Sequence, residues 1–449
     1  MRVERKAVAY TPPNEEPDEG TFEIVKKLNG LIEFISHQIV GREEIIRQSF
    51  YALLTGEHQL LFSRTGMAKS LQARQIFNCF EQVTVFEKQL TKDTMPDNLF
   101  GAYDIVQLKR GKLVHNVDGS IVLADFAFLD EVFDANDMLL RSLLSLLNEK
   151  RFMNGGEQIS SPLNTVIATA NYVRVTEVLE AVLDRFLYKS FIPENKNLYL
   201  QMLIDYVFRE NHGRVVDPQV KINLEELCAL KNIINSQRIE IPDYILFLKN
   251  YIVRRYIEEV RSTDPERPDF IIGDRTSVKI QNLLRASAIL DYRTAVEEKD
   301  LEQMYYLICM LGKNNEKERL STIVETARKY FGDDKEVLED ILPISRLVWE
   351  MKRSRGEDDP LKSARMISAM EGIEDALKDK GNRRGFRKKL ADMMPKRVIT
   401  LPHKSEMERI VSMVRQYCTT LKNIAAKKET IELISGLEED LDNFRLRPQ

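Results

Sequence analysis

Short apolar runs separated by amphipathic stretches set the rhythm of the first two hundred residues. Positions 58–63, 83–88, 121–129, 165–170 and 187–192 are short apolar runs of about the length of a strand, which read as strands. The intervening stretches, among them 71–80, carry apolar residues at helical spacing. Strands alternating with helices predict a three-layer α/β domain with a largely parallel sheet. Its ligand belongs beyond the carboxyl ends of the strands. Ahead of the first strand, 22–55 is helical with a break at Val40-Gly41. From about Leu198 the strand signals stop, and 222–262 and 274–313 read as helices. Past Asn314 the chain stays helical but more charged, breaks at Gly356-Glu-Asp-Asp-Pro360 and again over 378–397, and resumes as one long helix over 405–441. The expected organisation is a flexible arm (1–21, with Thr11-Pro-Pro-Asn-Glu-Glu-Pro), an α/β domain (22–197), a helical lid (198–315) and a C-terminal helical interaction domain (316–449).

Composition narrows the class without changing this picture. A chain of 449 residues is too long for one core. It is 43% hydrophobic and 30% charged with a net charge of −4, which fits a helix-rich globular protein and argues against wholesale electrostatic capture by nucleic acid or membrane. No apolar run approaches the ~20 residues that span a bilayer, and the N-terminus leads into an acidic, proline-bearing segment rather than an apolar signal core. Cys79, Cys228, Cys309 and Cys418 have no paired spacing, so they read as reduced, mostly buried thiols of a cytoplasmic protein. Scattered histidines give no metal-ligand pattern. Trp349 and the dispersed Tyr and Phe residues read as core.

The chemistry begins just after the first strand. Ser63, Arg64, Thr65, Gly66, Met67, Ala68, Lys69 and Ser70 lie between Leu60-Leu61-Phe62 and the helix that opens with Leu71. Strand, tight loop, Lys-Ser and helix is how proteins cradle nucleotide phosphates, with backbone N–H groups and a helix N-terminus facing the anion. In such a loop the Lys69 ammonium reaches the β- and γ-phosphates and the Ser70 hydroxyl ligates Mg²⁺. The consensus places glycine where this chain has Ser63 and Ala68, so Ser63 needs a φ that a side chain tolerates.

A second element strengthens the reading. The apolar run from Ile121 ends in the adjacent acids Asp130 and Glu131, which are costly to bury unless they meet a cation or water. Asp130 would hold the Mg²⁺ shell and Glu131 would orient and deprotonate the attacking water. The strand at 165–170 ends in Asn171, an amide suited to the γ-phosphate or that water, or a plain turn former. Leu183-Asp184-Arg185-Phe186 offers an arginine able to neutralise a transferring phosphate, and Gly273-Asp274-Arg275-Thr276 opens a helix of the second domain from which Arg275 can reach back to the nucleotide; taken singly, a surface ion pair for Arg185 and a structural role for Arg275 are the commoner uses. Val106–Asn116 and 151–159 fit β-hairpins, each with a glycine-bearing turn.

In this order and spacing the five elements resemble the MoxR family of AAA+ ATPases over roughly residues 22–315. Ser-x-x-Gly-x-Ala-Lys-Ser is similar to that family's phosphate loop, and Phe126-Ala-Phe-Leu-Asp-Glu-Val132 looks like its Walker B strand. Asn171 then matches the sensor-1 position, Arg185 an arginine finger acting on a neighbouring subunit's nucleotide, and Arg275 sensor 2, nearest the RavA-like branch. The resemblance implies an AAA+ P-loop domain binding ATP and Mg²⁺ and a ring, in the usual case a hexamer. It also implies a chaperone-like remodelling role, often with a von Willebrand factor A-domain partner, and hairpins that surround the ring's centre or face a client.

Two other readings stay open on the residues alone. The altered loop suits a nucleotide-gated scaffold with little turnover. The basic cluster of Lys378, Lys380, Arg383, Arg384, Arg387, Lys388, Lys389, Lys396 and Arg397 suits a nucleic-acid motor or loader, although Phe386 is the one aromatic there and nearby acids favour a solvated role.

Overall fold

The computed structural model describes residues 17–64, 66–171, 182–192, 197–265, 268–308, 315–353 and 404–442. The 378–397 basic cluster, Cys309, Thr65 and most of the proposed N-terminal arm lie outside these residues. Helix α1 (Glu19–Gln38) begins where the Asp18 carboxylate accepts the Thr21 N–H at 2.8 Å, and it buries Val25, Leu28, Leu31 and Ile35 along one face. Gly41 (φ 74) makes the expected break before α2 (Glu43–Thr55).

Five strands form the central sheet: β1 (Gln59–Phe62), β2 (Val85–Gln89), β3 (Phe126–Asp130), β4 (Thr165–Ala170) and β5 (Tyr188–Phe191), in the order β2-β3-β4-β1-β5. Every neighbouring pair is parallel, with Leu60 beside Ala168 on one side and Lys189 on the other. The three-layer α/β expectation holds, and β1, β3 and β4 bring their carboxyl ends together. Helix α3 (Lys69–Phe77) follows β1. Helix α4 (Asp137–Glu149) buries Leu139, Leu143, Leu146 and Leu147 in a core with Leu60, Leu129 and Val166.

The third apolar run is only partly strand. Ser120 accepts the Val122 N–H at 3.2 Å and starts a 3₁₀ turn over Ile121–Leu123, so β3 spans only its last residues and Asp130. The stretch expected as a first hairpin is also different. Asp104 caps a short helix, Ile105–Lys109, and only Tyr103 and His115 bridge in antiparallel fashion. The second hairpin is present, with Arg151–Asn154 paired to Glu157–Ser160.

Helices α5 (Leu198–Asn211), α6 (Leu224–Asn235), α7 (Asp243–Thr263) and α8 (Asp274–Leu290) follow. The stretches 222–262 and 274–313, expected to be helical, hold α6 with α7 and α8 respectively. A 3₁₀ helix, Glu298–Met304, comes next. The chain folds into two compact units, one made of 1–241 with 253–322 and the other of 242–252 with 323–449. In the second unit α10 (Lys335–Arg353), which follows α9 (Glu316–Tyr330), buries Leu338, Ile341 and Ile344, while Phe331 meets Phe247 and Tyr251 edge-on. Trp349 is 55% exposed and so is not core. The helix expected over 405–441 is a pair, α11 (Lys404–Ile424) and α12 (Lys428–Asp442). Cys79 and Cys418 are buried free thiols and Cys228 an exposed one. Among the described residues no helix is long and apolar enough to cross a membrane.

Candidate nucleotide site

β1 ends at Phe62 and α3 begins at Lys69, so the loop between them opens beyond the sheet's carboxyl edge. Ser63 is buried, its hydroxyl turned onto the Arg64 carbonyl at 3.0 Å. It is not among the residues with positive φ, so the missing glycine costs no left-handed strain there. Gly66 (φ 84) takes the glycine-only geometry instead, and Ala68 (φ 49) enters the left-handed region immediately before Lys69, at a cost of about 1 kcal/mol.

Lys69 is buried and donates to the Ser63 carbonyl at 3.2 Å and to Asn171 Oδ1 at 2.6 Å. Asn171 passes the link on, its amide nitrogen donating to Glu131 Oε1. Glu131 is itself left-handed (φ 56), and its N–H donates to Thr169 Oγ1 at 3.1 Å. The Thr169 hydroxyl donates to Asp130 Oδ1, and Ser70 Oγ lies 3.5 Å from Asp130 Oδ2. Lys69, Ser70, Asp130, Glu131 and Asn171, from three separate strand ends, therefore form one hydrogen-bonded cluster. Burial lowers the Lys69 ammonium from its ordinary pKa, partly opposed by Glu131 and Asp130. Burial raises the Glu131 carboxyl, with Lys69 opposing and Asp130 and Asp134 adding. Both shifts have one origin, removal of charge from water.

Two members of the site escaped the sequence reading. Arg42 donates to the Met67 carbonyl and, at 3.3 Å, to Gln72 Oε1, stapling the loop to the first turn of α3. Burial pulls its pKa down to about 10. Its only sequence signal was an arginine after the Gly41 break. Thr169 was signalled by a hydroxyl inside an otherwise apolar strand. Beside the loop lies a cavity of about 580 Å³, lined by Ile39, Val40, Met67, Leu71, Ile204 and Phe208 among others. It is apolar enough for a flat heterocycle.

Arg185 and Arg275 are placed elsewhere. Arg185 Nη1 donates to Asp184, and Arg275 Nη1 lies 3.8 Å from the same carboxylate. Among the described residues, neither makes a hydrogen bond or ion pair with the Lys69 cluster. The two arginines share the Asp184 carboxylate instead.

Residues 26–232 match the family model of the MoxR domain in the MoxR-vWA-beta-propeller ternary systems, and residues 240–324 match that of an AAA lid domain. An uncharacterized protein of Methanocaldococcus jannaschii is 27% identical over 340 residues, covering 75% of this chain and 77% of that one. Chaperone MoxR1 of Mycobacterium tuberculosis is 25% identical over 260 residues, covering 54% of this chain and 63% of the relative. Among solved structures, a candidate ATPase from Cytophaga hutchinsonii shares the fold with a TM-score of 0.54 at 21% identity, over 69% of this chain and 96% of that one.

Proposed function

We propose that this chain, whose residues 26–232 match the MoxR domain model and 240–324 the AAA lid domain model, is a MoxR-family AAA+ ATPase: a ring-forming, Mg²⁺-dependent ATP hydrolase that couples turnover to the remodelling or chaperone-like maturation of another protein. The carrying observation is the hydrogen-bonded run from the Ser63 carbonyl through Lys69 and Asn171 to Glu131, beside the Ser70–Asp130 pair.

Each residue has a defined task. The loop from Ser63 to Leu71 wraps the triphosphate, and Lys69 meets its β- and γ-oxygens. The residues present fit the metal: Ser70 hydroxyl and Asp130 carboxylate are hard oxygen ligands, and no cluster of three His, Cys, Asp or Glu is found among the described residues. That pattern suits an ion that keeps phosphate and water in its shell. When bound, Mg²⁺ neutralises charge on the phosphate oxygens. Glu131, a stronger base because burial raises its pKa, accepts the proton of the attacking water, and the Asn171 amide holds that carboxylate in place. The apolar cavity takes the base. Arg185, which shares Asp184 with Arg275, acts on the site of a neighbouring protomer in a ring, a hexamer in our reading, while Arg275 serves as sensor 2 toward the nucleotide.

The von Willebrand factor A component in the family's description supports such a partner. Assignment to the RavA-like branch rests on Gly273-Asp274-Arg275-Thr276 alone. A cytoplasmic location is part of the same proposal. Two variants test it. Lys69→Ala should abolish ATP binding measured by calorimetry. Glu131→Gln should bind ATP normally yet lose about 10²–10⁴-fold in steady-state phosphate release. Turnover by Glu131→Gln near that of the parent protein would remove the proposed base.

A further inference from the structure

Two excursions leave the α/β domain on either side of β3, one over residues 101–117 and one over 151–160, and they are locked together. Asn154 donates to the His115 carbonyl at 2.9 Å and accepts the His115 N–H at 2.7 Å. The Asp104 N–H donates to the Val114 carbonyl and the Asn116 N–H to the Ala102 carbonyl, both at 2.8 Å, which closes the neck of the first excursion. Tyr103 lies 4.3 Å from the His115 ring, and Phe100 stacks on Phe152 at 5.0 Å. At Gly155 (φ +59) a Cβ would sit 2.5 Å from Val114 Cγ2, so the two segments touch backbone to side chain.

What this fixed base carries is exposed and apolar. The capped helix Ile105–Lys109 buries none of its residues. Ile105 is 67% exposed, Val106 59%, Leu108 50%, Leu113 56% and, on the hairpin, Met153 64%. Grouped rather than scattered, such residues mark an interaction site. The charge alongside is mainly basic: Lys109, Arg110 and Lys112 lie on the first excursion with no acid between Asp104 and Asp118, and the hairpin adds Arg151 and the single acid Glu157.

We infer that the joined excursions are a docking surface for an acidic segment of another protein, one that alternates carboxylates with apolar side chains. The exposed Ile, Val, Leu and Met would be covered by its apolar positions, and its carboxylates would meet Lys109, Arg110 and Lys112. Single-stranded nucleic acid fits less well, because Tyr103, the aromatic of the first excursion, is already packed against the His115 ring. The inference rests on the reading that this chain acts on a second protein, and it names the chemistry of that protein's contact.

The test is fluorescence anisotropy on the full chain without nucleotide. The probes are a labelled helical Glu–Leu peptide, its Lys–Leu counterpart, a peptide of residues 12–20 of this chain, and single-stranded DNA. The Glu–Leu peptide should bind in a salt-sensitive way and the others should not. Ile105→Ser with Leu108→Ser, and separately Lys109→Glu with Lys112→Glu, should each weaken binding about tenfold or more while leaving ATP binding and the melting temperature unchanged. Equal binding of the two helical peptides, unaffected variants, no binding at about millimolar peptide, or preference for the DNA or the 12–20 peptide would each overturn the assignment. Phosphate release from the same samples separates the two readings. An inactive protein that still discriminates between the peptides leaves the docking surface standing, and an active one that does not removes it.

Discussion

His58, at the entry to β1, has a protonation state fixed by its neighbours. The Val166 N–H donates to Nδ1 at 3.1 Å, so that nitrogen carries no proton, while Nε2 faces the Leu147 carbonyl at 3.0 Å and must donate. The folded ring is therefore neutral, and burial drives its pKa down to about 4. Unfolded, it would take up a proton near its ordinary value of about 6.5. The folded-state pKa is the lower one, so the unfolded chain binds more protons between those values and stability is lost as pH falls through that window. By pH 5 the loss amounts to about 2 kcal/mol. Urea midpoints at pH 7 and pH 5 measure it. His58→Gln should shrink the difference between the two by about that much, and an unchanged difference would assign the titration to another group. The residues proposed for phosphate chemistry stood out in the sequence for a different reason. Lys69, Ser70, Asp130, Glu131 and Asn171 stand at the ends of apolar runs where a buried charge demands a partner, whereas Arg42 and Thr169 act through a loop carbonyl and a neighbouring side chain that only the fold brings near.

At the level of elements, the strands buried on both faces were readable and the pieces governed by caps were not. Ile121–Leu123 is as apolar as a strand, yet the Ser120 hydroxyl turns it into a 3₁₀ helix. The first excursion has hairpin-like sequence, but Asp104 accepts the Val106 and Gln107 N–H groups and nucleates a helix. The break between α11 and α12 is the clearest case. Ile424-Ala425-Ala426-Lys427-Lys428 contains no helix breaker and favours continuation. The chain turns because Asp334, 92 residues before Ala426, is buried and accepts the N–H groups of Ala426 and Lys427, each at 2.8 Å. No local pattern could announce a cap supplied from so far along the chain. Asp334→Ala should strand both donors and cost about 2 kcal/mol, read as a lower urea midpoint for the C-terminal unit, with Asp334→Asn retaining part of it. No change in Asp334→Ala would mean that packing alone sets the turn.

At the scale of the whole molecule, the residues proposed for phosphate chemistry fall into two groups, the Lys69 cluster and the Arg185–Arg275 pair over Asp184. In the second group two guanidinium groups share one carboxylate, which leaves positive charge to meet an anion. If that anion is a neighbour's triphosphate, a protomer with Arg185→Ala has an intact phosphate loop but fails its neighbour, and a protomer with Lys69→Ala has the reverse defect. Each variant alone should lose about 10³-fold or more in phosphate release. Mixed in equal amounts, they should regain a substantial fraction of the parent rate, because some sites then receive their lysine from one protomer and their arginine from the next. If Arg185 instead serves the nucleotide of its own chain, every protomer in the mixture still lacks one required group, and the mixture stays as inactive as its components.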